Sequence, residues 1–235
     1  MLSLSLAIVL AVQDTEITSG QVISKVFARY DQLSKATGSI QFVQSYGNIS
    51  VTVSTKVQFE MPDKVYLYQE RKSSNPGSVI VTSDGKHFSY HLPPDEPTSI
   101  GKRLVETVVQ AAKTYDCRDI YAVAAGGLLD RSVPLDLLFG RRSDMALFRD
   151  QLDTIEPVQM SGENFVITGR WREYKTAIPA ATYRLEVTPE FDIIRYTLRQ
   201  PFQIEGMGTQ DLVSDWKTDL KPGGVPEAAL FRLAR

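Results

Sequence analysis

The apolar positions of the chain change their period along its length. After two candidate cap residues, Thr18 and Ser19, the residues Val22, Ile23, Val26, Phe27, Tyr30 and Leu33 recur at helical spacing. Lys25, Arg29, Asp31 and Lys35 occupy the opposite side, so an amphipathic helix is expected here. From Ile40 the period drops to two. A strand through Ile40 and Phe42 ends in the turn Gly47-Asn48, and the run Ile49 to Glu60 then alternates. Ile49, Val51, Val53, Val57 and Phe59 share one side, while Ser50, Thr52, Ser54, Lys56, Gln58 and Glu60 share the other. This is an antiparallel hairpin with one apolar and one wetted face. Pro62 interrupts, and a third strand follows through Val65, Tyr66, Leu67 and Tyr68. The polar turn Ser73 to Gly77 leads into Val79-Ile80-Val81, and Asp84-Gly85 supplies a tight turn into Phe88 and Tyr90. Pro93, Pro94 and Pro97 close this half, a helix followed by a five-strand meander.

The middle reads as helical. Leu104, Val105, Val108, Val109 and Ala112 form a stripe, and Ile120 to Leu129 is a second apolar stretch. Ser132 caps a short segment, Leu135 to Phe139, with Pro134 in its first turn. Ser143 opens another helix through Met145, Leu147, Phe148 and Leu152. Strands return at about Phe165–Tyr174, Tyr183–Val187, Ile193–Leu198 and Leu212–Asp219, with Thr188-Pro189-Glu190 as a turn. With no internal repeat and no linker between the halves, the expected architecture is α+β, one continuous antiparallel sheet interrupted by helices.

The first residues follow neither period. Met1 to Gln13 contains no charged side chain, and Leu2 to Val12 has the length of a signal-peptide apolar core. It is read as a secretory signal, residues 1–13, followed by a single domain over 14–235; a buried N-terminal strand is the other reading. No stretch approaches the ~20 apolar residues that span a bilayer, so no integral membrane segment is expected.

Composition narrows the chemistry. Among 235 residues, 26 basic and 28 acidic side chains leave a net charge of -2, which will not hold a phosphate backbone by charge, so nucleic acid is excluded as a partner. One cysteine, Cys117, excludes an internal disulfide and a multi-thiolate zinc site. His87 and His91 would stand roughly 13 Å apart on a strand, too far to share a metal. Asp84 is a turn residue, Cys117 an inert thiol, and Gly206 with Gly208 a bend. The clusters Arg141-Arg142 and Arg170 with Arg172 read as solvated surface, with contact to acidic headgroups as the rival. Asn48-Ile49-Ser50 has the form of a glycosylation sequon, coincident with a hairpin turn. Phosphate-binding, dinucleotide, metalloprotease and nucleophile-elbow motifs are all missing, so neither enzymatic activity nor a cofactor is expected.

Three stretches carry a resemblance. Phe42-Val43-Gln44, Val57 to Asp63, and Val79 to Tyr90 with its Ser83-Asp84-Gly85-Lys86 core appear in the order seen in the LolA-like family of periplasmic lipoprotein carriers and their relatives. Pro134 to Leu138, Ser214-Asp215-Trp216 and Pro226 to Phe231 are similar to a branch of predicted periplasmic proteins within that family. The resemblance implies an incomplete, strongly curved antiparallel β-barrel with helices covering its concave face as a lid, and acyl chains between lid and sheet. It also implies an exported, periplasmic, monomeric protein whose partners are a hydrophobic ligand or lipoprotein acyl chains, with an envelope protein as a candidate partner. In the dedicated carrier an arginine stands immediately before the strand proline and ties down the lid; here that position is Met61. The candidate ligand-binding residues are Ile40, Phe42, Val51, Val53, Val57 and Phe59 from the sheet, with Leu135, Leu137, Leu138 and Phe139 from the lid. Two readings of these stripes stay open: a pocket for an acyl chain, or a packed core beneath an envelope sensor or interaction module.

Overall fold

The computed structural model describes residues 17–73, 76–91, 109–110, 115–126, 129–140, 152–171, 181–204 and 208–232. The proposed signal, residues 1–13, lies outside them. The first helical stripe becomes α1, Ser19–Asp31. Thr18 caps it, its hydroxyl accepting from the Gln21 N–H while the Gln21 side chain accepts from the Thr18 N–H, a reciprocal box that satisfies two donors at the helix start. The buried residues are the expected stripe, Val22, Ile23, Val26, Phe27 and Tyr30.

The meander follows as β1 (Lys35–Tyr46), β2 (Ile49–Glu60), β3 (Lys64–Lys72), β4 (Gly77–Asp84) and β5 (His87–His91). A two-residue strand β6, Val109–Gln110, pairs with β5. This corrects the helix expected over Leu104 to Ala112. The outer edge of β5 needs backbone partners, and a β-branched valine suits that role; the rest of that stripe lies outside the described residues. Two helices come next, α2 (Cys117–Ala125) and α3 (Val133–Phe139). The helix expected from Ser143 to Leu152 also needs correction at its end. Leu152 opens strand β7, Leu152–Ile155, on the edge of β9, and Ser143 to Phe148 lie outside the described residues. The remaining strands are β8 (Gln159–Ser161), β9 (Asn164–Trp171), β10 (Thr182–Val187), β11 (Ile193–Ile204) and β12 (Gly208–Pro222).

All of these strands belong to one antiparallel sheet in the order β6-β5-β4-β3-β2-β1-β12-β11-β10-β9-β7, with β8 also on β9. The two meanders meet where β1 pairs with β12, from Ala36 opposite Pro222 to Ser45 opposite Val213. Laid flat, eleven strands at ~4.8 Å would stretch roughly 48 Å from first to last. Yet Val65, Leu67 and Val81 of one wing and Ile167 and Leu185 of the other share one apolar cluster with α1, α2 and α3. Helices this short touch both wings only because the sheet curls around them. The architecture is therefore the expected α+β one, an open, curved antiparallel sheet with helices on its concave side. No helix among the described residues is long and apolar enough to cross a membrane.

Polar ties hold the helices in the curve. Arg29 of α1 makes a two-pronged ion pair with Asp192 at the β10–β11 turn, at 2.9 and 3.3 Å. The Tyr30 hydroxyl accepts from the Ile193 N–H, and the Ser19 hydroxyl donates to the Glu156 carbonyl. On the other wing the Cys117 N–H donates to the Pro62 carbonyl at 2.7 Å, anchoring α2 at the β2–β3 turn. The C-terminal segment crosses to the convex side. Its Glu227 N–H donates to the Gln58 side chain, and Phe231 is buried. Beneath this segment β4 and β5 bury a Thr82–Ser89 hydroxyl pair.

The β1–β12 seam requires a glycine. Gly38 has φ +154, and a Cβ there would press on the Asp219 carbonyl oxygen and lie 2.7 Å from Leu220 Cα, both backbone atoms of β12. Gly38→Val is expected to destabilise the protein by about 3 kcal/mol or more, since strands on both sides limit relaxation. A denaturant midpoint equal to that of the parent would show that the seam tolerates the side chain.

Candidate functional site: the concave face

Strand register assigns each side chain to a face. On the concave side β1 presents Ala36, Gly38, Ile40, Phe42, Gln44 and Tyr46, and β2 presents Phe59, Val57, Thr55, Val53, Val51 and Ile49. Beyond the seam β12 adds Leu220, Thr218, Trp216 and Ser214, followed by Tyr196 and Leu198 of β11 and Tyr183 and Leu185 of β10. None of these positions is charged. The convex side of the same strands carries Lys56, Glu60, Arg184, Glu186, Arg195, Arg199, Asp211, Asp215, Lys217 and Asp219. There Arg195 pairs with Asp215 at 2.8 and 3.0 Å. Burial raises the Asp215 carboxyl, but Arg195 and the Thr197 hydroxyl outweigh it and hold the group below its usual range.

The concave face has two zones. At its base Ile40, Val53, Val57 and Phe59 are buried, and so are the lid residues Leu135, Leu137, Leu138 and Phe139. Phe59 meets Phe139 edge-on at 5.2 Å, which joins sheet to lid directly. Above them Phe42 and Val51 are only half-buried, although they point the same way. At the rim Ile49 is 64% exposed and Phe202 is 50% exposed, with Phe202 edge-on to Tyr46 at 5.7 Å. The ten predicted residues thus share one face and its cover, but they divide between a packed base and an open upper part.

An aromatic wall lines the boundary between the zones. Phe42 stacks on Trp216 at 4.9 Å, Trp216 lies 5.4 Å from Tyr196, and Tyr196 stacks on Tyr183 at 6.5 Å. The Trp171 indole N–H donates to the Tyr196 hydroxyl at 2.8 Å. Of these five residues sequence reading found only Phe42. The alternation of Tyr183 with Leu185 and of Tyr196 with Leu198 was visible, but nothing local says that these strands adjoin β1.

The lid connector after α2 is fastened from β3. Gln69, buried on the concave side, donates to the Thr55 hydroxyl and the Asp130 carbonyl at 3.1 Å each and accepts from the Asp130 N–H at 2.6 Å. Arg71, two residues along the same face, forms a two-pronged pair with the Asp130 carboxylate. Met61 packs half-buried against the core, and its N–H donates to the Ser34 carbonyl.

The other candidates fall elsewhere. The Asp84 carboxylate accepts from the Lys86 and His87 N–H groups at 2.7 Å each, the work of a turn residue. Arg170 lies on the convex side, in a depression of about 400 Å³ shared with Arg184, Arg199 and Glu156. Arg141, Arg142 and Arg172 lie outside the described residues. A second depression, about 690 Å³, opens beside the start of α1 between Ile17, Gly20, Val158 and Met160. No group of three metal-ligating side chains occurs among the described residues.

No family model and no curated protein matches the chain. Among solved structures it is similar to the MucA/MucB complex of Pseudomonas aeruginosa (12% identity, TM-score 0.41), where the match covers 91% of this chain and 60% of that one. It is also similar to LprF from Mycobacterium bovis (12%, TM-score 0.38, covering 85% of this chain and 90% of that one). A LolA superfamily protein from Nitrosomonas europaea matches at 8% identity and TM-score 0.36, covering 92% of this chain and 98% of that one. At these values the use of the concave face has to be read from this chain's own residues.

Two measurements check the geometry. Burial pushes the Cys117 thiol up to about 12, with the charges of Asp116 and Asp63 adding to it. Iodoacetamide at pH 8 is therefore expected to label the unfolded chain and spare the native one, and rapid native labelling would refute the buried placement. Gln69→Leu strands two backbone groups of Asp130 and is expected to cost about 2–4 kcal/mol, whereas Asp130→Ala, losing a half-exposed ion pair, costs about 1 kcal/mol or less. Chemical denaturation giving the reverse order would make the Arg71 pair the fastening of the connector.

Proposed function

We propose that this chain is an exported, non-enzymatic binding protein that holds a hydrophobic ligand, a lipid acyl chain or lipoprotein anchor, against the upper concave face beneath its helices. The observation that carries this reading is the uncharged inner face continuing past its helical cover, from buried Ile40 and Phe59 through half-buried Phe42 and Val51 to exposed Ile49 and Phe202. Apolar surface on a soluble protein is ordinarily covered, and a contiguous uncovered stretch marks a place where something apolar sits. The opposite face of the same strands holds the charges, so the asymmetry follows the side of the sheet and not the composition of the strands.

The mechanism is exchange of contacts. An acyl chain entering along Val51 and Phe42 replaces apolar side-chain contacts with contacts of the same kind, so a small free-energy change separates the loaded and empty states and release stays reversible. Lipoprotein shuttling through the carrier's own arginine latch has no counterpart at Met61. Here movement of the lid connector requires release of Asp130 from Gln69 and Arg71.

Native mass spectrometry of the protein purified from its own cell envelope, with lipid extraction, is expected to show a discrete added mass. Phe42→Asp should remove that mass while leaving the circular dichroism spectrum unchanged. A clean apo mass with no uptake of added fatty acid would overturn the proposal.

A further inference from the structure

The convex side of β9, β10 and β11 gathers like charges. Arg170, Arg184 and Arg199 line one depression of about 400 Å³, together with Thr168, Thr182, Thr197 and Glu156. Strand register sets the pattern. Arg170 and Arg199 lie opposite Thr182 from its two sides, and Arg184 lies between Thr168 and Thr197. Arg184 is therefore the diagonal neighbour of both other arginines, roughly 7–8 Å away at the backbone, and the three form a triangle about Thr182.

Elsewhere on this face the sheet sets opposite charges across from one another, as it does Glu186 and Arg195. Within β9 to β11 each of the three arginines faces threonine instead. Arg184 reaches Glu186 only at 4.0 Å, Arg199 meets Asp211 through one nitrogen at 3.3 Å, and both arginines are exposed. Pairs of that kind contribute little, and a guanidinium has five donors, so both keep N–H groups for another acceptor. β7 sets Asp153 across from Arg170 on its outer side, yet Arg170 makes no ion pair among the described residues. Glu156 lines the depression without pairing with any of the three.

Neighbouring like charges on a sheet repel, and a bound anion removes that cost. Three guanidinium groups and a hydroxyl about one point suit a group with several acceptor oxygens at tetrahedral angles, because guanidinium forks bind phosphate oxygens in pairs. A carboxylate has two oxygens in one plane and cannot answer all three. The space is that of a small-ligand site, so the phosphate can arrive on a larger molecule.

We propose that this depression is a phosphate-binding site, with Arg170, Arg184 and Arg199 holding the phosphate oxygens and the Thr182 hydroxyl donating between them. The sheet separates it from the concave face, so the assignment stands apart from the hydrophobic-ligand reading. A soluble phosphate ester and the phosphate of a lipid headgroup both supply the chemistry.

Two probes of the full chain separate these sources: calorimetric titration with glycerol 3-phosphate at constant ionic strength, and cosedimentation with phosphatidylcholine vesicles with and without phosphatidic acid. Binding of glycerol 3-phosphate assigns a soluble ester, and binding to the phosphatidic acid vesicles alone assigns the headgroup. In either case Arg170→Gln and Arg184→Gln are each expected to weaken binding about tenfold. Lys217→Gln removes a cation of the same face outside the depression and is expected to change binding less than twofold. Binding of neither probe would overturn the site, and so would an equal loss in Lys217→Gln, which would mean diffuse attraction to the whole face. Folding provides a second readout. With no ion pair to lose, ligand-free Arg170→Gln is expected to keep the parent's thermal midpoint, and a clear fall would mean that the arginine already has a partner in the fold and the assignment fails.

Discussion

Everything in this molecule depends on the pairing of its first strand with its last. Each meander alone is a sheet with one apolar face and no means of covering it, and the helices are too short to cover either one. Once β1 lies against β12, from Ala36 and Pro222 at one end to Ser45 and Val213 at the other, the two apolar faces become a single concave one. The same helices can then touch both wings. The contact is as non-local as the chain allows, so its loop-closure cost falls early and its return comes only when the helices dock. Gly38 sits in that seam because the approach of the β12 backbone leaves no room for a side chain.

The curved sheet separates two kinds of chemistry. Along β1, β2 and β10 to β12 charge stays on the convex side, where ion pairs such as Arg195 with Asp215 lie at the surface and contribute little individually. The concave side is uncharged along its central strands, and the polar groups at its margin are used for fastening: Gln69 and Arg71 on Asp130, Arg29 on Asp192, Tyr30 on Ile193. The helices seal the base of the curve more completely than its upper part. The side chains of that upper part are apolar, inward-facing and only partly covered.

Much of the fold was legible in the chain. The strand Ile49–Glu60 appears with its expected bounds because alternation is a property of successive residues, and α1 begins at its expected cap because the Thr18–Gln21 box is local as well. β6 and β7 depart from the helical pattern that their local sequence predicts. Val109 and Leu152 carry no local strand signal strong enough to compete, and they become strands only because β5 and β9 offer unpaired edges. The candidate face was legible only in part. Ile40, Phe42, Val51, Val53, Val57 and Phe59 were grouped correctly by parity, but the same parity could not tell Phe59, locked beneath Phe139, from Val51 nearer the open rim.

What the sequence by itself determined is the side of the long strands that is apolar and the caps and turns that start and stop most of the elements. These are short-range matters of period, backbone dihedrals and residue chemistry. Only the tertiary structure decided which strands are neighbours, that Trp216, Tyr196 and Tyr183 form one wall with Phe42, and that Asp130 answers to Gln69 and Arg71. Each of these requires residues tens to hundreds of positions apart to meet, and that is settled by how an open sheet curls to bury its one apolar face.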